Sequence, residues 1–378
     1  MESVPADVPG KGGGKGNLSN HEIADLITTT IKAWGRKVMR SSKLGLAFTI
    51  ITMIALLPLC NFNASAKTIE LTYANFFPPK HFNGELGAAW AEEIGKRTGG
   101  KVKITYFPGG ALLKGDEIYS GVLDGIADIG MSCFAYTRGR FPAMEALDLP
   151  IGYTSGKTAT MVANEFYAQF KPKELEDAKM LYIHAHGPGL LHSKKPAKTL
   201  EDLRGMKIRA TGFSAKVAAS LGAAAVGMPQ GGTYEALQKG VVEGTFGPIE
   251  VLKGWKQGEV IKYTTECYSI GYTTAMFVVM NKDKWASLPP DIQKVFEEVS
   301  AEWIPKHAKG WDAADNEGRE FTLSLGNEII PLSDAESDRW AEAVSPVVDE
   351  YAEAAKGKGL PGSEYVEFIR ERIEAHSK

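Results

Sequence analysis

The sequence predicts an α/β protein folded into two lobes. Segments that alternate apolar and polar residues take turns with segments of helical periodicity, and this order favours a largely parallel sheet. The chain has 378 residues. Even without residues 1–66, which have the features of an export signal, it is longer than the roughly 250–300 residues that one core usually holds.

The first predicted elements form a β-α-β unit. Residues 68–75 alternate as a strand, residues 84–97 have the periodicity of an amphipathic helix, and residues 102–106 alternate again. A helix over 116–123 and a strand over 126–131 are predicted next. Ligands bind beyond the carboxyl ends of the strands in such sheets, so the loops after the strands are candidates for a binding site.

Two of these loops carry aromatic and histidine side chains. The residues are Phe76, Phe77 and His81 after the first strand and Cys133, Phe134 and Tyr136 after the third. Aromatic rings there would offer an apolar surface to a ligand, and packing in a lobe core or at a hinge is the alternative interpretation.

The second half of the chain continues the α/β pattern. Residues 180–185 are predicted as a strand, residues 268–281 as a long β-rich run and residues 290–323 as a helix. Ser333 and Glu336 have the spacing of a capping box, in which side chains satisfy free N–H groups at a helix N-terminus. A helix toward residue 354 is therefore expected.

An arginine between these parts is the candidate for an anion site. Thr199 and Asp202 also have capping-box spacing, which predicts a short helix that Gly205 ends. Residues 206–210 then alternate as a strand that carries Arg209 toward the start of the next predicted helix. An arginine at a strand end that faces a helix N-terminus is a preformed anion site, and an ordinary surface arginine is the alternative.

This segment resembles the signature region of the solute receptors of tripartite ATP-independent periplasmic (TRAP) transporters, the DctP-type family. The family pattern runs P-x-K-T-x-E-D-L-x-G-x-K-I-R, then L-G-A, and then Y-x-A-L-Q-x-G-V-V-D/E-G. The matching positions are Pro196, Lys198, Thr199, Glu201, Asp202, Leu203, Gly205, Lys207, Ile208, Arg209, Leu221, Gly222, Ala223, Tyr234, Ala236, Leu237, Gln238, Gly240, Val241, Val242, Glu243 and Gly244.

The resemblance implies a two-lobed, periplasmic-binding-protein-like fold, in which crossing hinge strands join the lobes and a long helix spans both. We then expect lobe 1 to comprise residues 67–186 and 275–314, and lobe 2 to comprise residues 187–274 and 315–350. Residues 351–378 would form a C-terminal helical tail.

The resemblance also implies a function. Such receptors capture a small organic acid by hinge closure and deliver it to the small and large membrane subunits of the transporter, and the family arginine that matches Arg209 binds the ligand carboxylate. We expect this chain to do the same as a monomer. A secreted ligand-sensing module and a periplasmic enzyme acting on an organic acid are the alternatives.

The chain departs from the family pattern near the expected site. Many relatives have an arginine in the loop that corresponds to residues 187–190, and this chain has none there. A second anchor for a polar acid is therefore either absent or replaced by His186, Phe246 or Glu250 nearby. The predicted ligand contacts are Arg209, then His186, Phe246 and Glu250 near the missing anchor, and Phe76, His81, Phe134, Tyr136 and Trp255 as further, mainly aromatic, surface. This set predicts a carboxylate ligand with an apolar or aromatic body.

The sequence contains no G-x-x-x-x-G-K-[ST], no H-E-x-x-H and no complete G-x-S-x-G motif. The sequence G-F-S at residues 212–214 begins a G-x-S-x-G pattern, but Lys216 replaces its last glycine. His184 and His186 have a spacing that occurs in metal sites, but no cluster in the sequence offers a third ligand. We therefore predict no catalytic activity, no metal and no cofactor.

The N-terminus has the features of a signal peptide. Arg40 and Lys43 precede an apolar run over residues 44–59, and A-S-A at residues 64–66 is a small-residue cleavage site. We expect export to the periplasm and cleavage after Ala66.

The expected signal peptide, residues 39–66, would start at Met39, and residues 1–38 would be an over-extended or disordered N-terminus. Cys60 leaves a lipid anchor open, although Leu59 precedes it where such sites favour a small residue.

Charge and cysteine content add two limits. The formal net charge is −3, and a mildly acidic chain is not suited to nucleic acid. Cleavage would leave only Cys133 and Cys267, which make no disulfide framework. They are either two buried thiols or one long-range bridge.

Overall fold

A computed structural model of the protein describes residues 68–377. The predicted start at Met39, the cleavage after Ala66 and the lipid anchor at Cys60 lie outside the described residues. Within them the chain forms two sheets with flanking helices, which confirms the predicted two-lobed α/β class.

The elements follow one another with short 3-10 turns between several of them. The strands are β1 (Ile69–Asn75), β2 (Val102–Phe107), β3 (Ile129–Cys133), β4 (Ala178–Ala185), β5 (Leu190–Ser193), β6 (Lys207–Ala210), β7 (Ala224–Gly227), β8 (Gly244–Gly247), β9 (Tyr263–Glu266), β10 (Ala275–Asn281) and β11 (Glu328–Pro331). The helices are α1 (Phe82–Arg97), α2 (Ile118–Leu123), α3 (Gly156–Phe170), α4 (Phe213–Ser220), α5 (Thr233–Gln238), α6 (Val251–Gly254), α7 (Lys282–Ser287), α8 (Pro290–Ser324), α9 (Asp334–Val344), α10 (Pro346–Gly357) and α11 (Gly362–His376).

The first sheet has five strands in the order β2-β1-β3-β10-β4. β1 pairs in parallel with β2 and β3, whereas β10 runs antiparallel to β3 and β4. The predicted β-α-β start is confirmed. Helix α1 begins two residues earlier than expected, because His81 caps it by accepting a hydrogen bond from the backbone N–H of Asn83.

The second sheet has six strands in the order β11-β9-β5-β8-β6-β7. Strand β6 lies between β7 and β8 and is parallel to both. The predicted capping box of Thr199 and Asp202 is formed, but it opens only the 3-10 turn Leu200–Leu203, because the backbone leaves the helical region at Arg204, where ψ is 113°.

Each sheet has its own hydrophobic core. The segment predicted as a C-terminal helical tail contains the end of α10 and all of α11. Both helices pack on the first core, to which the segment contributes Tyr351 and Ile369.

Ser333 caps a helix as predicted, but the capping box is not completed, because the Glu336 carboxylate accepts from the backbone N–H of Leu200. The helix stops at Val344, and a second one starts at Pro346. The lobe boundaries given above stay a prediction.

Two segments cross between the sheets side by side. Residues 186–189 join β4 to β5, and residues 267–274 join β9 to β10. The backbone N–H of Gly189 donates to the carbonyl oxygen of Tyr272 at 2.9 Å, so the two crossings are tied together. They take the place of the crossing strands that the resemblance implied.

The predicted β-rich run over residues 268–281 is only half correct. A strand forms over Ala275–Asn281 alone. The residues before it bond to the other crossing segment instead of a sheet, as when the hydroxyl of Thr273 donates to the carbonyl oxygen of His186.

Helix α8 is 35 residues long and packs on both lobes, which confirms the lobe-spanning helix. Two glycines permit this close packing. A Cβ atom on Gly310 would meet the ring of Phe82, in the first lobe, at 2.9 Å. A Cβ atom on Gly318 would meet the carbonyl oxygen of Ile249, in the second lobe, at 2.3 Å. One helix therefore packs closely against a surface of each lobe.

Candidate functional site

A cavity of about 40 Å³ lies between the two lobes. The first lobe contributes the loops after β1 and β3, and the second lobe contributes β6, β8 and the loops beside them. Both crossing segments and α8 complete the wall. The position agrees with the rule that ligands bind beyond the carboxyl ends of parallel strands.

Arg209 is a buried cation in this wall. Only 5% of its surface is exposed. Its Nε donates to the carbonyl oxygen of Met228 at 3.0 Å, and its Nη1 donates weakly to that of Phe246 at 3.4 Å. Within residues 68–377 no carboxylate is paired with the guanidinium. The described part of the chain therefore leaves this charge without a counterion.

Two further donors come from opposite lobes. The backbone N–H of Gln230, in the second lobe, donates to the hydroxyl oxygen of Tyr136, in the first, at 3.0 Å. Burial raises the pKa of Tyr136, so the hydroxyl keeps the proton that it can donate. The side-chain Nε2 of Gln230 is buried and bonds to none of the described residues. Together with Arg209, these two residues make the donor group of the cavity.

His186 presents an acceptor to the same cavity. Its Nδ1 lies next to the carbonyl oxygen of Gly187, and because a carbonyl only accepts, this nitrogen must carry the hydrogen. Burial lowers the pKa of the imidazole to about 4; the bond to Gly187 opposes that shift and the charge of Arg209 adds to it. The ring is therefore neutral at pH 7, and its Nε2 carries a lone pair.

A histidine and a glutamate from opposite lobes meet beside the cavity. Since Nδ1 of His81 accepts from the N–H of Asn83 at 3.1 Å, its ring proton is assigned to Nε2. This Nε2 lies 2.6 Å from Oε1 of Glu250. The imidazole and the carboxylate are therefore in direct contact across the cleft, and they form an ion pair when the imidazole is protonated.

Aromatic rings from both lobes form the apolar walls. Phe76 and Trp255 stack across the cleft with their ring centroids 6.1 Å apart and their planes at 16°. Tyr136 meets Phe76 edge-on at 5.5 Å, and Phe246 meets Tyr272 edge-on at 6.0 Å. Such walls suit a flat apolar body better than a chain of hydroxyl groups.

The structure brings most of the predicted site residues together. The cavity wall contains Phe76, Tyr136, His186, Arg209, Phe246, Glu250 and Trp255. His81 contacts Glu250 but does not line the cavity.

Phe134 does not lie where the sequence predicted it. It is absent from the cavity wall, and its ring packs 5.1 Å from those of Phe141 and Phe277 in the first core. Phe134 and Tyr136 begin and end one 3-10 turn, which directs their side chains to different sides.

Several residues of the cavity wall were not predicted from the sequence. Gln230 follows the carboxyl end of β7, so the rule for loops after parallel strands would have found it. Tyr272 and Trp311 also line the cavity. Neither carries a local signal, because one lies in a crossing segment and the other is one of several aromatic residues on a long helix.

The structure also places the two cysteines and the histidine pair that the sequence singled out. Cys133 and Cys267 are free buried thiols, which decides between the two alternatives for them. His184 stacks on His307. Within the described range, no three His, Cys, Asp or Glu side chains are grouped so that they could hold a metal ion. None of the helices between residues 68 and 377 is long and apolar enough to cross a membrane.

Comparisons with known proteins add a further set of findings. The family model described as bacterial extracellular solute-binding protein, family 7, matches residues 73–354. A TRAP periplasmic solute-binding protein from Desulfovibrio salexigens, solved as an open complex, is 35% identical, with a TM-score of 0.71 and coverage of 81% of this chain and 95% of that one.

Two further solved structures resemble the chain. A TRAP solute-binding protein from Rhodoferax ferrireducens, in complex with copurified benzoate, is 29% identical, with a TM-score of 0.78 and coverage of 82% and 99%. A marine metagenome TRAP solute-binding protein described as specific for aromatic acid ligands, in complex with 3-hydroxybenzoate, is also 29% identical, with a TM-score of 0.77 and the same coverage.

Proposed function

This chain belongs to the bacterial extracellular solute-binding proteins of family 7, and we propose that its ligand is an aromatic monocarboxylate. Its relatives are receptors of TRAP transporters, and the chain is a receptor for an organic acid. One observation carries the proposal. Arg209 is buried without a counterion from the described residues, inside a cavity walled by aromatic rings.

The carboxylate is supported by the state of Arg209. Two guanidinium nitrogens bond to backbone carbonyl oxygens, and Nη2 bonds to no described residue. A buried cation without a partner destabilises the closed form, and a ligand carboxylate would remove that cost. The planar guanidinium can hold both carboxylate oxygens, which fixes the orientation of the ligand.

The aromatic body is supported by the walls. Phe76 stacks on Trp255 across the cleft and meets Tyr136 edge-on within its own lobe, and Phe246 and Tyr272 continue this surface. Offset or edge contacts with such rings favour a flat aromatic ligand by about 0.5–1.5 kcal/mol for each pair beyond area burial. The relatives that bind benzoate and 3-hydroxybenzoate support the same ligand class.

The restriction to one carboxylate is supported by Glu250. This residue is only 2% exposed and lines the cavity. A second ligand carboxylate would meet a like charge there, which acts as a repulsive element against dicarboxylates. The loop at residues 187–190 also lacks the second arginine that would neutralise such a ligand.

Binding by hinge closure is supported by the contacts across the cleft. The lobes meet through Tyr136 and Gln230, and also through Phe76 and Trp255. A cavity of about 40 Å³ has room for only a few water molecules. An aromatic acid must therefore enter an open form, in which the crossing segments act as the hinge, and shift the equilibrium toward closure.

The closed form would then be recognised by the small and large membrane subunits of a TRAP transporter in the periplasm. We propose that the receptor acts as a monomer and releases its ligand unchanged.

The proposal is tested by titration calorimetry with benzoate, cyclohexanecarboxylate and succinate. We expect benzoate to bind with one site per chain, the saturated ring to bind several-fold more weakly, and succinate to bind at least a hundredfold more weakly. Tighter binding of succinate than of benzoate would contradict the proposal. Mass analysis of recovered benzoate should find it unaltered, and a product would favour the enzyme alternative.

A further inference from the structure

The hydrogen-bond donors of the cavity are divided between the two lobes. We propose that the hydroxyl group of Tyr136 donates to the ligand carboxylate and that this contact from the first lobe couples carboxylate binding to closure. The assignment rests on the proposed function, since it concerns one contact of the proposed ligand.

The second lobe holds its donors as one unit. Arg209 lies on β6, and Gln230 lies in the turn that follows β7, the neighbouring strand. Nε of Arg209 donates to the carbonyl oxygen of Met228 at 3.0 Å, two residues before Gln230, so the two donors are tied to each other. The side-chain Nε2 of Gln230 is buried and bonds to none of the described residues. Because both donors belong to one lobe, they can bind a carboxylate whether the cleft is open or closed.

A carboxylate held only by the second lobe would not favour closure. A ligand shifts an open–closed equilibrium only by the difference between its affinities for the two forms. The contacts of the carboxylate with Arg209 and Gln230 are the same in both forms, so they cancel in this difference. Closure in response to the carboxylate therefore needs a donor from the first lobe.

Tyr136 brings such a donor to the cavity wall. It ends the 3-10 turn that follows β3 in the first lobe. Its ring meets Phe76 edge-on, and a Cβ atom on Gly115 would meet the ring at 3.0 Å, so elements of its own lobe fix its position. The hydroxyl oxygen accepts from the backbone N–H of Gln230 across the cleft at 3.0 Å, which leaves the hydroxyl hydrogen to donate.

The surroundings of this hydroxyl favour a carboxylate oxygen as its acceptor. The thiol of Cys133, which also interacts with the hydroxyl, is only a weak acceptor. Burial raises the pKa of both Tyr136 and Cys133, and the charge of Arg209 opposes this rise, which places the guanidinium near both groups. A carboxylate paired with Arg209 has about four lone pairs, enough to accept also from Gln230 and Tyr136.

The test measures closure separately from affinity. Single-molecule energy transfer between dyes at exposed positions of α1, in the first lobe, and α9, in the second, gives the closed-to-open ratio with and without benzoate. Tyr136→Phe keeps the ring and removes the hydroxyl. We expect its ratio at saturating benzoate to fall roughly tenfold more than its ratio without benzoate, the effect of one hydrogen bond to a charged group.

Two further variants are matched to Tyr136→Phe. Gln230→Met removes a donor of the second lobe, so it should raise the Kd for benzoate but leave the ratio at saturation within about threefold of the wild type, because the loss is equal in both forms. Tyr234→Phe removes a hydroxyl that donates to Glu259 away from the cavity wall. It should change neither the Kd nor the ratio.

The outcomes separate this inference from the proposed function. If Tyr136→Phe lowers the ratio by the same factor with and without benzoate, the hydroxyl acts only as a bond between the lobes, and the inference is wrong while the proposed function stands. A saturated Gln230→Met that stays open overturns the inference as well. If the wild-type chain does not bind benzoate, or binds it without closing, the proposed function itself is wrong.

A measurement on the wild-type chain decides the point even if Tyr136→Phe does not fold. In a crystal structure with benzoate, we expect a carboxylate oxygen within about 3 Å of the hydroxyl oxygen of Tyr136. A separation beyond about 4 Å in the closed form would overturn the inference.

Discussion

Removal of the Arg209 side chain is the most informative perturbation of this receptor. The guanidinium is 5% exposed and has no counterion among the described residues, so the ligand carboxylate is the partner that Arg209→Ala would lose. Breaking a buried ion pair by deleting one member costs about 3–5 kcal/mol. This free energy corresponds to an increase of roughly 100- to 4,000-fold in the Kd for benzoate. Titration calorimetry measures it directly.

The variant Arg209→Lys tests whether charge alone is enough. Lysine keeps the positive charge but lacks the planar fork and the Nε–H that donates to the carbonyl oxygen of Met228. We expect most of the affinity to be lost in this variant too. Near-wild-type affinity of Arg209→Lys would mean that the carboxylate is held as a point charge and not in two parallel hydrogen bonds.

Unliganded stability gives an independent readout for the same residue. Because the buried charge is not neutralised in the absence of ligand, Arg209→Met should keep the melting temperature of the unliganded protein and abolish its rise on addition of benzoate. Arg204→Ala is the matched control, since Arg204 lies five residues earlier on the exposed surface. A loss of affinity below tenfold for Arg209→Ala, or an equal loss for Arg204→Ala, would refute the reasoning.

Three further predictions concern stability and reactivity. Gly318→Ala should lower the free energy of unfolding by about 1–3 kcal/mol in urea titrations, because its Cβ would meet a backbone carbonyl oxygen; Gly357→Ala, with open space around it, should not, and equal effects would contradict this packing. Burial raises the pKa of Asp315 to about 8, so its stabilising contribution is complete below the unfolded value near 4 and is lost as the pH rises to 8. The stability of the wild type relative to Asp315→Asn should fall by up to about 1.4 kcal/mol per pH unit over this range, whereas parallel pH profiles would disprove the assignment. Cys267 is buried outside the cavity wall, and burial raises its pKa to about 12, so it should react with a thiol reagent only after unfolding; rapid labelling of Cys267 in the native chain would argue against its burial.

Local signals in the sequence predicted much of the fold and the main anchor. The capping box at Thr199 and the alternation before Arg209 depend on neighbouring residues, and both are formed. The helix expected over residues 290–323 is also found, since its periodicity extends over many turns.

Contacts between distant segments could not be predicted from the sequence. Tyr272 and Trp311 reach the cavity from a crossing segment and from α8, and their direction depends on how the two lobes pack. Phe134 and Tyr136 look equivalent in the sequence, but one is in the core and the other is in the cavity. The strand expected from residue 268 starts only at Ala275, because partner choice at a crossing is a tertiary property.

A crystal structure of the protein with benzoate would show whether Arg209 binds the carboxylate of an aromatic acid inside the aromatic cavity between the lobes. We expect both carboxylate oxygens within about 3.2 Å of guanidinium nitrogens of Arg209, a distance typical of such hydrogen bonds, with the ring between Phe76, Trp255 and Phe246. A benzoate bound with its carboxylate away from Arg209, or outside this cavity, would disprove this role of Arg209.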